Sequence, residues 1–305
     1  MKFLLLATFA YYVCANNVSA MQRFFVIVFE NTDFNVTFAD PYFKQLAEQG
    51  QLFTNYHGVI HPSQPNYIAM IAGDTFNKTT DNDVDISGKE TVVDLLERAN
   101  RTWVAYQQDY PKDQGCFTNT SFGGESAYVR KHNPFISFAE IRNSPERCSR
   151  IFNADQLLVD IEHRNVSDYV FYTPNLQNDA HDTNITFASM WLKSFLEPIL
   201  VNQYFINTTF LITFDENYVF WLDDDNYIET KNNTIYSVLL GAGVRKGIVD
   251  DLYYNHYSQL AFIEHEWGLG SLGRNDSNAN FFRLETSMSS ETRMNVFLML
   301  LTILY

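Results

Sequence analysis

The segment Phe24–Phe29 (FFVIVF) is apolar at every position, and Glu30-Asn31 follows it directly. A strand with one face in water alternates; a short apolar run without alternation is a strand buried on both faces. Phe210–Phe214 (FLITF) repeats the arrangement and stops at Asp215-Glu216. Two such strands require a sheet covered on both sides.

The rest of the chain supplies the covering layers. Helices are predicted at Tyr42–Gln49, stopped by Gly50, at Val92–Leu96, at Phe187–Leu196 with Pro198 just beyond, and at Tyr257–Leu269. Strands are predicted at Gln51–His57, Trp103–Tyr106, Tyr169–Tyr172 and Ile235–Leu240. Strands alternating with helices imply an α/β fold with a mainly parallel central sheet and helices on both faces. The 305 residues are 46% hydrophobic and 16% aromatic, enough for one large core, and no linker or repeat divides them. Ligands in such sheets bind beyond the carboxyl ends of the strands. Glu30-Asn31, Asn175 and Asp215-Glu216 are therefore expected on one rim.

His61-Pro62-Ser63-Gln64-Pro65-Asn66-Tyr67 precedes the apolar run Ile68–Ala72 and Gly73. Ser63 reads as a helix N-cap with Pro65 in the first turn. A helix N-terminus offers unpaired N–H groups to a phosphate, so the same hydroxyl is also a candidate nucleophile. The acidic pairs carry two readings as well. Carboxylates gathered from two strand ends repel unless a cation sits between them, yet polar residues at loop starts are also ordinary. His132, His181 and His256 fall in predicted connecting loops, where sites concentrate.

The chain ends carry addresses. Lys2, the apolar Phe3–Ala15 and Val18-Ser19-Ala20 predict a signal peptide over 1–20. Sequons at Asn35, Asn77, Asn100, Asn119, Asn165, Asn184, Asn207, Asn232 and Asn275 predict a glycosylated surface. Cys116 and Cys148, left after Cys14 in the signal, are expected to pair in an oxidising compartment. Val296–Tyr305 is almost wholly apolar, with Ser287, Ser289 and Ser290 upstream. Residues 287–305 thus have the layout of a glycosylphosphatidylinositol attachment signal, the other reading being a terminal core element. A formal charge of −15 argues against nucleic acid as a partner. A small phosphate ester stays open, because a bound metal reverses the local field.

The landmarks VFEN (Val28–Asn31), HPSQPNY, Gly73-Asp74, KHNP, PNLQNDAHD, Trp191–Lys193, TFDE and NHYS occur in that order. In this the chain resembles the phosphoesterase family of secreted acid phosphatases and bacterial phospholipases C, which has the alkaline-phosphatase-like superfold. The resemblance covers Phe24 to Asp276, within a domain spanning 21–286. It implies that Ser63 is a nucleophile that becomes phosphorylated. Glu30, Asn31, Asp215 and Glu216 are implied as ligands of one or two divalent metal ions, with Ser63 completing the shell. His132 and His181 are implied as phosphate-oxygen donors or as the acid for the leaving group. His61, Asn66, Lys131 and His256 are implied around the substrate; Asp276 matches a recurring position of unassigned role.

Two departures bear on the branch. Lys131-His132 stands where some relatives have two histidines, and Asn217-Tyr218 follows the acidic pair where phospholipase-like members often carry glycines. The first implies that one donor here is a lysine; the second leans toward the acid phosphatase branch, hence a secreted, metal-dependent acid phosphatase with membrane contact only through the lipid anchor. A protonated histidine beside the ester oxygen favours an acidic optimum. The alternatives are a phospholipase C-type phosphodiesterase and a catalytically silent surface glycoprotein.

Overall fold

The computed structural model describes residues 21–112, 115–125, 127–221, 227–229 and 232–285. The expected signal peptide and lipid-anchor signal lie outside these residues.

Nine strands build the central sheet: Arg23–Phe29 (β1), Gln51–His57 (β2), Trp103–Gln107 (β3), Ile151–Asn153 (β4), Tyr169–Thr173 (β5), Thr208–Phe214 (β6), Thr234–Gly241 (β7), Ile248–Asp250 (β8) and Tyr254–Asn255 (β9). Their order is β8-β2-β7-β6-β1-β5-β3-β4, with β9 also on β2. All pairings are parallel except those of β7, which runs against β2 and β6. The expected mainly parallel sheet is present. Phe24–Phe29, the non-alternating segment, is buried throughout β1, the strand between β6 and β5.

The main helices are Phe34–Ala39 (α1), Pro41–Gln49 (α2), Ser63–Ala72 (α3), Val92–Arg98 (α4), Ile185–Val201 (α5) and His256–Trp267 (α6). Asp40 caps α2, accepting from Tyr42 N and Phe43 N at 2.9 and 3.3 Å. The same carboxylate takes the Ser189 hydroxyl of α5 at 2.6 Å, tying two helices together. Phe29 at the end of β1 packs edge-on against Phe43 of α2 and Trp191 of α5. Glu30 therefore leaves a strand end that is fixed from both neighbouring helices.

Three expectations shift. The helix predicted at Phe187–Leu196 runs from Ile185 to Val201 with Pro198 inside it. Asn184 caps its start through a bond from Phe187 N. Helix α6 begins at His256 and ends at Trp267, where Gly268 takes the left-handed conformation at φ 61°. Pro62, not Ser63, holds the N-cap position of α3. Cys116 and Cys148 form the expected disulfide, with Cα atoms 5.4 Å apart. All nine sequon asparagines are exposed. No helix among the described residues is long and apolar enough to cross a membrane.

Candidate active site

Strand register brings the two acidic pairs together. Phe29 of β1 lies opposite Phe214 of β6, so the next residues, Glu30 and Asp215, are neighbours. Asp215 N donates to Phe29 O at 2.9 Å, and Asn31 N donates to Asp215 Oδ1 at 3.2 Å. Asn31 turns the chain at a φ of 21°, a region asparagine tolerates better than most residues. Its Nδ2 donates to Glu216 Oε1 at 3.1 Å.

Ser63 enters this cluster from the first turn of α3. It lies one position past the N-cap, Pro62, and so does not occupy the capping position. Instead Oγ lies 3.1 Å from Glu30 Oε2, 3.3 Å from Glu216 Oε1 and 3.5 Å from Asn31 Oδ1. A charged acceptor binds a hydroxyl more strongly than a backbone amide does. The loop into the helix is clamped by Asn66, which is fully buried. Asn66 Oδ1 accepts from Val59 N and Ile60 N at 2.7 and 3.2 Å. Its Nδ2 donates to Ile60 O at 2.6 Å and lies 3.4 Å from Glu216 Oε2. His61 Nδ1 sits 2.6 Å from the same Glu216 oxygen. His61 and Asn66 thus hold Glu216 and the approach to Ser63.

A second group shares Glu30. Tyr67 OH donates to Glu30 Oε1 at 2.7 Å, and its ring stacks on His132. His132 Nε2 lies 3.0 Å from Glu30 Oε1, and its Nδ1 lies 3.7 Å from Asp179 Oδ2. Glu30, His132 and Asp179 are buried and offer ligand atoms within 4.8 Å of one another. Asp179 was not singled out in the sequence. It stands in the polar run that follows β5, beside His181, so the strand-end rule used for Asp215 could have found it.

The remaining candidates surround the cluster. Lys131 Nζ donates to Asp81 Oδ2 at 2.7 Å. Asp81 Oδ1 accepts from Gln64 N at 2.9 Å, so a half-buried carboxylate sits on the first turn of α3. Asp81 is also absent from the sequence-based set, because its loop has no helix or strand pattern. His181 is exposed, and its Nδ1 lies 2.7 Å from Asp182 Oδ1. Its ring centre is 6.2 Å from that of His132. His256 is fully buried, and its Nε2 bonds the Asp215 carbonyl. It supports the β6 end from behind. Asp276 lies farther off, folding its own loop by accepting from Leu272 N and Arg274 N.

The electrostatics of the cluster are lopsided. Burial holds the Glu30, Asp179, Asp215 and Glu216 carboxyls well above the usual carboxylate range. Mutual repulsion adds to this: Asp215 acts on Glu30, Glu30 on Asp179, and Glu216 on Asp215. Burial, with Lys131 and His181 nearby, pushes His132 well below its ordinary value, so its imidazole is neutral. The Ser63 hydroxyl has one hydrogen to share among three oxygens, and Asp215 Oδ2 is buried without a hydrogen-bond partner. An excess of hard oxygen acceptors over donors is the donor set a divalent cation requires. The residues present fit such an ion.

Comparison with known proteins gives the arrangement a lineage. A family model described as the phosphoesterase family matches residues 37–270. An acid phosphatase of Aspergillus fumigatus is 40% identical over 284 residues, covering 91% of this chain and 62% of that protein. A phosphate-repressible acid phosphatase of Penicillium chrysogenum is 39% identical over 270 residues, covering 87% of this chain and 63% of that protein. The chain thus spans just under two thirds of the length of these relatives. Among solved structures, an alkaline phosphatase superfamily protein of Vibrio parahaemolyticus superposes with a TM-score of 0.57 at 13% identity. That match covers 86% of this chain and 71% of the other, and it supports the expected superfold. On the family match and the two fungal relatives, the chain belongs to the phosphoesterase family.

Proposed function

We infer that the chain is a secreted, metal-dependent acid phosphatase that hydrolyses phosphomonoesters through a phosphoserine. The observation that carries this reading is the Ser63 hydroxyl, set in the first turn of a helix within 3.5 Å of Glu30, Asn31 and Glu216. Glu30, Asn31, Ser63, Asp215 and Glu216 would hold one divalent ion, and Glu30, His132 and Asp179 could hold a second. Such an ion would supply positive charge that lowers the cost of negative charge on the Ser63 and phosphoryl oxygens.

The chain's own groups account for the remaining steps. Ser63 Oγ loses its proton to solvent and attacks phosphorus from within hydrogen-bond distance of Glu30. The bond between phosphorus and the ester oxygen breaks, and His181 protonates the departing alcohol. Asp182 fixes the His181 ring for that role. Water then attacks the phosphoserine and returns its proton to the neutral His181. The serine–phosphorus bond breaks, Oγ regains a proton from solvent, and phosphate leaves. Tyr67 OH, its ring stacked on neutral His132, holds the Glu30 carboxylate in place.

A phospholipase C would need a long apolar groove beside Ser63. The adjoining cleft holds about 590 Å³ and is partly polar, a volume suited to a small ester rather than a two-chain lipid. Exposed sequons and the disulfide support a secretory route. The lipid anchor rests on the C-terminal sequence pattern alone.

Ser63→Ala should lower turnover of an aryl phosphate at least about 10³-fold while circular dichroism stays unchanged. Near-normal hydrolysis by that variant would remove Ser63 from the nucleophile's role.

A further inference from the structure

The backbone amide directly after Ser63 is already taken. Gln64 N donates to Asp81 Oδ1 at 2.9 Å, in the first turn of the ten-residue helix α3. The other oxygen of the same carboxylate accepts from Lys131 Nζ at 2.7 Å. The buried Gln64 side chain fixes the loop, its Nε2 donating to the carbonyls of Thr80 and Asn82 on either side of Asp81. One residue thus supplies the amide and holds in place the loop that covers it.

An N–H at a helix N-terminus and an ammonium are donors that a phosphoryl group seeks. Both lie against the acidic cluster. Besides burial, the Lys131 charge acts on Glu30, Asp179 and Glu216, and the Asp81 charge acts on Glu216. A carboxylate offers two acceptor oxygens side by side, as one edge of a phosphate does. Lysine is charged at acidic and neutral pH, so an unopposed Lys131 would cling to the product of each turnover. The Asp81 side chain is 32% exposed and that of Lys131 20%, so water reaches their contact and it breaks at modest cost.

We propose that Asp81 is an internal stand-in for phosphate: it occupies Gln64 N and Lys131 Nζ in the resting protein, yields them to a phosphoryl group, and competes with the product for them. The inference rests on the phosphatase reading of Ser63 and adds a residue that sets how tightly the site holds phosphate. If Asp81 keeps the two donors about nine-tenths of the time, phosphate binds about tenfold more weakly than the donors alone would allow. The product then leaves faster, since affinity differences within one site lie mostly in the dissociation rate.

Isothermal titration calorimetry with inorganic phosphate on the metal-supplemented full chain reads binding without turnover. Asp81→Asn keeps an acceptor for Gln64 N but loses the charge, and it should lower the phosphate Kd about tenfold. The coupling between the two side chains is the sharper measure. Lys131→Met should change Kd less than about twofold in the wild-type background, where Asp81 occupies the lysine, and raise it about tenfold in the Asp81→Asn background. Mere loss of a nearby negative charge would also tighten phosphate binding, but it would leave the effect of Lys131→Met the same in both backgrounds. An equal effect in the two backgrounds, or a Kd unchanged or raised in Asp81→Asn, overturns the inference. Hydrolysis of an aryl phosphate is measured on the same samples. Hydrolysis without the coupling sinks the inference alone, whereas the coupling without hydrolysis sinks the phosphatase reading and leaves the competition for phosphate standing.

Discussion

Asp215 is the residue where charge and burial conflict most. It is fully buried, one oxygen has no hydrogen-bond partner, and Glu216 adds repulsion to the cost of desolvation. A buried charge without compensation destabilises a fold, and removing it can be neutral or favourable. A bound cation reverses the sign of its contribution, because anything that binds only the folded state stabilises it. Asp215→Asn should therefore behave oppositely under two conditions. In chelator its melting temperature should match or exceed wild type; with saturating divalent metal it should fall below wild type by a few degrees. Metal stoichiometry by elemental analysis should drop in the same variant. Unchanged stoichiometry with parallel melting curves in both conditions would take Asp215 out of the ligand set.

At the scale of elements, helix α3 matters because it carries Ser63 at one end and Gly73 at the other. Gly73 ends it at φ 67°, with its N–H on Ala69 O. Asn275 N and Nδ2 both bond the Gly73 carbonyl, at 3.1 and 3.0 Å. Asp276 stands so close that a Cβ at position 73 would lie 2.5 Å from its Oδ1. Gly73→Ala should cost about 2 kcal/mol or more, from left-handed strain and from the displaced carboxylate. Urea unfolding measures it, and a midpoint equal to wild type would show that the loop yields freely.

The same helix shows how far local pattern reaches. Its apolar run and closing glycine were readable, as were β1 and β6, because continuous apolar character needs no knowledge of neighbours. Ser63 was legible as a residue at the helix start but not as one turned away from capping. That orientation depends on Glu30 and Glu216, which lie 33 and 153 positions away in the chain. Asp179 and Asp81 escaped notice for the same reason. Each gains its meaning from a partner on another element, His132 for one and the Gln64 amide with Lys131 for the other. The short strands β8 and β9 are set by pairing with β2 rather than by their own few residues.

Across the whole molecule, buried carboxyls link stability to pH. The clearest case away from the acidic cluster is Glu264 on α6, which is 6% exposed and accepts from Leu272 N at 3.3 Å. Burial, with the Asp276 charge beside it, pushes its pKa from 4.5 up to about 8. The folded state thus binds this proton more tightly than the unfolded chain does. The stability so gained is complete below about pH 4.5 and is lost as pH rises through about 8. Ionised Glu264 would push against Asp276, whose loop abuts Gly73 and so the helix that carries Ser63. The fold is therefore built to be firmest on the acidic side, where the proposed chemistry would operate. Metal-loaded wild type should lose several degrees of melting temperature between pH 5 and pH 8, with the cluster carboxylates kept charged by the ion. Glu264→Gln cannot ionise and should lose clearly less over the same interval. Matching pH profiles for the two proteins would assign the alkaline weakening to other groups.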